Sequence, residues 1–227
     1  DNAFKYVNQP IADSLNISLN TAGLQATIPG ILIGIGAVVY SALSDAVSIR
    51  KLMIIAIILV AIGSVIGFAF QGSWPIVLAA RIIQTTGLAA AETLYVVFVT
   101  KHFTGDRQKT YLGFSTAAFQ LSLLLGVVGG GFVATYISWP VLFLIALAPL
   151  LALPVVMKTV PEEETTSSSM DVFGLFLVAI VAGGFIMFLQ NFMWAYLVAA
   201  VVAVALFAWH ISHHENALIT PDRKSVV

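Results

Sequence analysis

The chain has 227 residues, of which 59% are hydrophobic and only 9% are charged, and its formal net charge is −1. Soluble domains carry about 25% charged residues because their surfaces face water, so this composition excludes a soluble globular protein. The near-neutral charge excludes a basic surface for nucleic acid, and the lack of cysteine excludes disulfides and thiolate metal sites. The composition therefore predicts an all-α integral membrane protein whose surface contacts mainly membrane lipid.

A membrane-spanning helix needs about 20 mostly apolar residues. The first apolar segment is shorter than this, and the chain begins without Met. We therefore interpret the chain as a fragment, truncated in its first span and before its last ones. In chain order we predict about eight spans, near 1–14, 22–43, 52–70, 75–99, 111–136, 140–157, 172–190 and 193–210.

The basic residues predict the orientation of these spans, because Lys and Arg concentrate in cytoplasmic loops. Eight of the ten fall in every second connector, and the alternate connectors contain none. The acidic, Ser/Thr-rich linker is predicted to separate a six-helix bundle, residues 1–157, from two additional spans, residues 172–210. Four segments are therefore predicted to be cytoplasmic: 44–51, 100–110, the linker 158–171 and the tail 211–227.

The connector after the second span contains Asp45, followed by Arg50 and Lys51. One acid and two bases at a helix–helix turn suit a latch, whereas a simple positively charged anchor is the alternative. With Leu43 and Ser44, these residues resemble the loop signature G-x-L-[SA]-D-x-x-G-x-[RK]-[RK] of the major facilitator superfamily, with serine at both glycine positions. The resemblance implies that Asp45, Arg50 and Lys51 form a cytoplasmic gate.

The fourth span carries Arg81 and Glu92, and ionisable residues inside a membrane are functional candidates because they are costly to place there. At 100° per residue the two share one helix face, about 16 Å apart along the axis. We predict that Glu92 couples proton movement, because a low-dielectric site favours protonation of a carboxylate; a structural acid bonded to a neighbouring helix is the alternative. Arg81 and Gln84 resemble the R-x-x-Q-G-x-G signature of proton-coupled members, with Thr85 at the first glycine, which implies that they line the substrate cavity.

The fifth span contains Gly126, Gly130 and Gly131. Such glycines let two helix backbones approach closely, and packing alone is one explanation for them. The segment also resembles the antiporter signature G-x-x-x-G-P-x-x-G-G, with Ser122 at the first glycine and Val127 at the proline. The resemblance implies an exporter rather than an importer.

The first span places Asp1, Lys5 and Asn8 at helical spacing on one face. With Pro10, this segment resembles the acidic first-span motif of the 14-helix drug/proton antiporters. The resemblance implies that Asp1 is a second proton-coupling residue and that Lys5 and Asn8 line the cavity. Alternatively, Lys5 extends to the outer membrane interface.

The resemblance covers essentially the whole chain and is closest to tetracycline and multidrug efflux pumps. It implies a proton-coupled antiporter that exports amphipathic, often cationic drugs across the cell membrane, with no enzymatic activity, metal or cofactor. The C-terminal bundle of the same chain would be the missing partner, so we expect these residues alone to be inactive. An importer of a small solute from the same superfamily and a non-transport membrane protein are the alternatives.

Overall fold

The computed structural model describes residues 2–162, 172–191 and 193–213, which form helices joined by short turns. The prediction of an all-α membrane fold is confirmed. Two short 3₁₀ helices cover Asn2–Tyr6 and Ala148–Ala152. The α-helices within the described ranges are α1 (Asn8–Leu15), α2 (Leu19–Ala46), α3 (Ile49–Ala69), α4 (Trp74–His102), α5 (Gly105–Tyr136), α6 (Val141–Ile145), α7 (Leu153–Thr159), α8 (Val172–Asn191) and α9 (Trp194–His213).

Among the described residues, six segments are long and apolar enough to cross a membrane. The first predicted span is represented by the short helix α1, and α8 contains a shorter apolar stretch, Phe176–Phe185. The six segments are Leu19–Ala46, Ile49–Ala69, Trp74–His102, Gly105–Val133, Val141–Thr159 and Trp194–His213.

Two predicted cytoplasmic connectors, 44–51 and 100–110, are much shorter in the structure. Only residues 47–48 separate α2 from α3, and only residues 103–104 separate α4 from α5. Ser48 caps α3, because its Oγ accepts a hydrogen bond from the backbone N–H of Lys51 at 3.4 Å. Helices thus continue through polar residues beyond the apolar stretch, since hydropathy marks the membrane-crossing part and not the helix end.

The predicted continuous span 140–157 is instead divided into α6, the 3₁₀ helix Ala148–Ala152 and α7. Pro149 and Pro154 account for the division. Each lacks a backbone N–H, and each ring would clash with the carbonyl four residues earlier in an α-helix. The segment still provides one apolar stretch of 19 residues, Val141–Thr159.

Helix α4 packs against both α2 and α3 through small residues. A Cβ added at Gly87 would lie 2.4 Å from the carbonyl oxygen of Ala56 on α3, and one at Gly36 on α2 would lie 2.6 Å from the Cβ of Ala89. Only glycine permits backbones to approach this closely. The packing therefore fixes α4, which carries Arg81 and Glu92, between two neighbouring helices.

Candidate functional site

Arg81 lies inside the bundle within a polar network that links three segments. Its side chain is 1% exposed, and its Nη1 donates a hydrogen bond to the Oε1 of Gln84. Gln84 in turn donates from Nε2 to the Oγ of Ser64 on α3, at 2.8 Å. The guanidinium carbon lies 3.9 Å from the ring centroid of Phe4, so the aromatic face also stabilises the positive charge. Arg81 therefore connects α4 with α3 and with the 3₁₀ helix Asn2–Tyr6. This 3₁₀ helix and α1 together form the first segment, residues 2–15.

Glu92 occupies a different environment on the same face of α4. Its side chain is exposed, and it forms no hydrogen bond or ion pair in the described part of the chain. It lies 18 residues after the first residue of α4 and 10 before the last, close to the middle of the helix. Its carboxylate is consequently available to a proton or to a cationic ligand.

The first segment rests on two of the three glycines noted in α5. A Cβ added at Gly126 would lie 2.7 Å from the Cβ of Asn2, and one at Gly130 would lie 2.7 Å from the carbonyl oxygen of Ala3. At Gly131 nothing lies within 4 Å of the added Cβ. Gly126 and Gly130 thus form the surface on which the 3₁₀ helix Asn2–Tyr6 packs, and Gly131 does not contribute to it.

Gln25 on α2, which the sequence reasoning missed, stabilises the point at which the first segment changes helix type. Its side chain is fully buried, and its Nε2 donates to the carbonyl oxygen of Phe4 and to the Oδ1 of Asn8, both at 2.7 Å. The amide is a second and closer donor to the Phe4 carbonyl, which also accepts from the backbone N–H of Val7 at 3.4 Å at the end of the 3₁₀ helix. Asn8, a predicted cavity residue, therefore bonds another helix. A lone glutamine in an apolar stretch was the available signal for Gln25.

Lys5 is exposed and lies beside Asn2 and Ser122. Its Nζ donates to the Oδ1 of Asn2 at 3.1 Å, and the Nδ2 of Asn2 donates to the Oγ of Ser122 on α5 at 3.0 Å. Asp1, the other predicted residue of this face, lies outside the described residues. Its predicted role in proton coupling consequently rests on the sequence alone.

The three predicted gate residues join two separate clusters at one end of the bundle. Asp45, at the end of α2, accepts a hydrogen bond and ion pair from Lys101 at 2.9 Å, and Lys101 also donates to the carbonyl of Ser44 at 3.0 Å. This cluster ties α2 to the last turn of α4.

The second cluster ties the start of α3 to the residues after α7. Arg50 and Lys51 contact Glu162 at 3.8 and 3.2 Å, and Arg50 also donates to the carbonyl oxygen of Met157. Lys101 and Glu162 were not singled out from the sequence, although both are charged residues in predicted connectors. Lys101 lies 56 positions from Asp45, and Glu162 lies 111 and 112 positions from Lys51 and Arg50, separations that sequence spacing alone does not reveal.

A helical bundle that buries an arginine and leaves a carboxylate unpaired at mid-helix is typical of membrane transport proteins. The sequence profile of the Major Facilitator Superfamily matches residues 3–209, and the chain therefore belongs to this superfamily, whose members are transporters and not enzymes. It is 32% identical over 156 residues to YbcL of Bacillus subtilis (strain 168), described as an uncharacterized MFS-type transporter. That alignment covers 68% of this chain and 40% of the relative, so the matched part spans less than half the length of YbcL.

Proposed function

We propose that the chain is a fragment of a proton-coupled antiporter of the 14-helix drug efflux class, comprising the N-terminal six-helix bundle and two additional spans, and that the whole protein exports amphipathic compounds across the cell membrane. In this proposal a C-terminal bundle completes the substrate cavity, and the two bundles expose it alternately to either side. The succession of the three signatures in spans two, four and five supports the antiporter class. The glycine pair of α5, which receives the first segment, supports export over import.

The observation that carries the proposal is the environment of Glu92. An ionised side chain that faces hydrocarbon near the bilayer centre is costly, so an exposed carboxylate near the middle of α4 favours a water-accessible cavity. In such a cavity a cationic group on the ligand stabilises the ionised carboxylate, whereas protonation removes that attraction. Proton binding from outside would thereby release the ligand.

Arg81 and Gln84 have supporting roles in this mechanism. Both side chains are buried, at 1% and 0% exposure, so they act on the cavity by fixing α4 against α3 and the first segment. Asn8 fixes the first segment to α2 in the same way. Asp1 is proposed as a second proton-binding residue.

The two charged clusters are proposed to form the cytoplasmic gate. The pairs Asp45–Lys101 and Lys51–Glu162 join the ends of four helical segments, and both are solvent-accessible. Ion pairs of this kind are weak enough to break and re-form as the bundle changes conformation. The gate is proposed to lie on the cytoplasmic side, because the connectors that contain Lys and Arg are predicted to be cytoplasmic.

The proposal is tested by proton-driven ethidium transport in everted vesicles that contain the full-length protein. We expect Glu92→Gln to lower the rate at least tenfold, because the neutral amide cannot bind and release a proton. Asp106→Asn is the matched control: it removes an exposed acid at the start of α5 whose one ion pair among the described residues is with Lys109, and transport should remain at the wild-type rate. Unchanged transport in Glu92→Gln would overturn the coupling role, and movement of ligand in the same direction as protons would favour the importer.

A further inference from the structure

Asn2, Lys5 and Ser122 form a continuous polar patch on the outside of the bundle. Lys5 donates to Asn2, Asn2 donates to Ser122, and the Ser122 hydroxyl donates to the carbonyl oxygen of Phe119 at 2.7 Å. Each group in this series of hydrogen bonds therefore fixes the orientation of the next. The Lys5 ammonium is held in place from one side by an amide oxygen.

The patch lies at mid-membrane depth. Ser122 is about 26 Å from the first residue of α5 and about 21 Å from the last, at 1.5 Å per residue. The neighbouring exposed side chains on α5 are apolar: Leu121, Leu124 and Leu125 are 55%, 62% and 60% exposed. Transporter binding sites lie near this depth, and a cation within a membrane-spanning region is costly, so Lys5 is a candidate functional residue.

The ammonium of Lys5 retains donors for a ligand. It has three N–H donors, of which Asn2 accepts one. Within residues 2–162, 172–191 and 193–213, Lys5 forms no ion pair with an acidic side chain. The positive charge is therefore oriented by Asn2 but is not neutralised by an acidic side chain of residues 2–162, 172–191 or 193–213, as in a site that receives an anionic group from a ligand.

On the basis of the export function proposed above, we propose that Lys5 and Asn2 bind a carboxylate of the substrate. The Lys5 ammonium supplies a charge-assisted hydrogen bond, and Ser122 acts as a positioning residue that orients the Asn2 amide. The inferred substrates are amphiphiles that carry a carboxylate, including zwitterions. Purely cationic amphiphiles lack this carboxylate and therefore gain no hydrogen bond from Lys5.

Two related dyes provide the test: rhodamine B, which carries a free carboxylate, and its ethyl ester, which does not. Binding is measured by fluorescence anisotropy with the full-length protein in nanodiscs, and export is measured separately in proteoliposomes. We expect the wild type to bind the acid more tightly, and Lys5→Gln to weaken acid binding about tenfold with little change for the ester. Lys5→Arg keeps the charge and should retain most of the preference, and Ser122→Ala should weaken acid binding about threefold.

Lys109→Gln is the matched control, since it removes the same kind of charge from the exposed start of α5, where Lys109 pairs with Asp106. It should leave the binding of both dyes unchanged. Equal binding of the two dyes by the wild type, or equal losses for both in Lys5→Gln, would overturn the carboxylate site. Selective binding of the acid without export of either dye would instead refute the proposed export function and leave the site supported.

Discussion

Arg81 and Glu92 lie on one face of α4, about 16 Å apart, yet their surroundings are opposite. Arg81 is buried, bonded to Gln84 and stacked on Phe4, whereas Glu92 is exposed and forms no bond in the described part of the chain. A charge surrounded by protein partners stabilises one arrangement of helices. A charge without partners is available to a ligand or a proton. The comparison therefore separates a structural from a functional intramembrane charge within one helix.

The largest expected effect on stability is at Arg81. Arg81→Met leaves the Gln84 amide without its donor and removes the contact with the Phe4 ring, so we expect the free energy of unfolding to fall by about 2–4 kcal/mol. Glu92→Gln should change it by less than about 0.5 kcal/mol, because no contact is lost. Unfolding of both variants in detergent micelles measures the difference, and equal stabilities would remove the contrast between the two positions.

Gln25→Leu tests the support of the first segment behind this network. The substitution leaves the Oδ1 of Asn8 without its Gln25 donor and leaves the carbonyl of Phe4 with the backbone N–H of Val7 at 3.4 Å; an unsatisfied buried group costs about 1–3 kcal/mol. We expect a loss of about 1–3 kcal/mol in the free energy of unfolding. Gln9→Leu is the control, because Gln9 is exposed and bonds only Asp13; if both variants lost the same stability, the buried amide would have no special role.

Adjacent glycines of α5 give a finer test of the same segment. Gly130→Ala would place a Cβ 2.7 Å from the carbonyl oxygen of Ala3, and the resulting overpacking should cost about 1–3 kcal/mol. Gly131→Ala meets nothing within 4 Å and should be neutral or slightly stabilising, since alanine favours the helix. Thermal unfolding of the two variants checks this, and a larger loss at position 131 would contradict the packing described.

The smallest expected effect on stability is that of the ion pair between Asp45 and Lys101, in the last turn of α4. The carboxylate of Asp45 is 67% exposed and the side chain of Lys101 is 37% exposed, so their coupling energy should be about 0.2–1 kcal/mol. A double-mutant cycle with Asp45→Asn and Lys101→Gln measures it, and the value should decrease in 1 M salt. A salt-independent coupling above 2 kcal/mol would show that this pair is not an exposed, breakable contact.

Hydropathy predicted the all-α membrane fold because apolar stretches of about 20 residues have few alternatives in lipid. It did not predict the division of the sixth span, although Pro149 and Pro154 were visible in the sequence, because a span was identified by its apolarity alone. It also placed the end of α2 too early and the start of α3 too late at 44–51, since both helices extend through polar residues beyond the membrane-crossing part.

The site was predictable only as a set of residue types. The costly charges at Arg81 and Glu92 could be identified from their positions in an apolar span. Their opposite environments could not, because the Phe4 ring that covers Arg81 is 77 positions away in sequence. The contact of Gln25 with Phe4 likewise depends on how the first segment packs, which helical periodicity does not determine.

The most direct test of the account is the water accessibility of position 92. The chain contains no cysteine, so Glu92→Cys introduces a single thiol into it. We predict that this thiol reacts with a charged, membrane-impermeant methanethiosulfonate in nanodiscs. Val128→Cys, at a 64% exposed apolar position on α5, should not react, because we expect lipid to cover this position. If the thiol at position 92 is as unreactive as the one at position 128, Glu92 faces lipid, and the central claim that it lines an aqueous transport cavity is wrong.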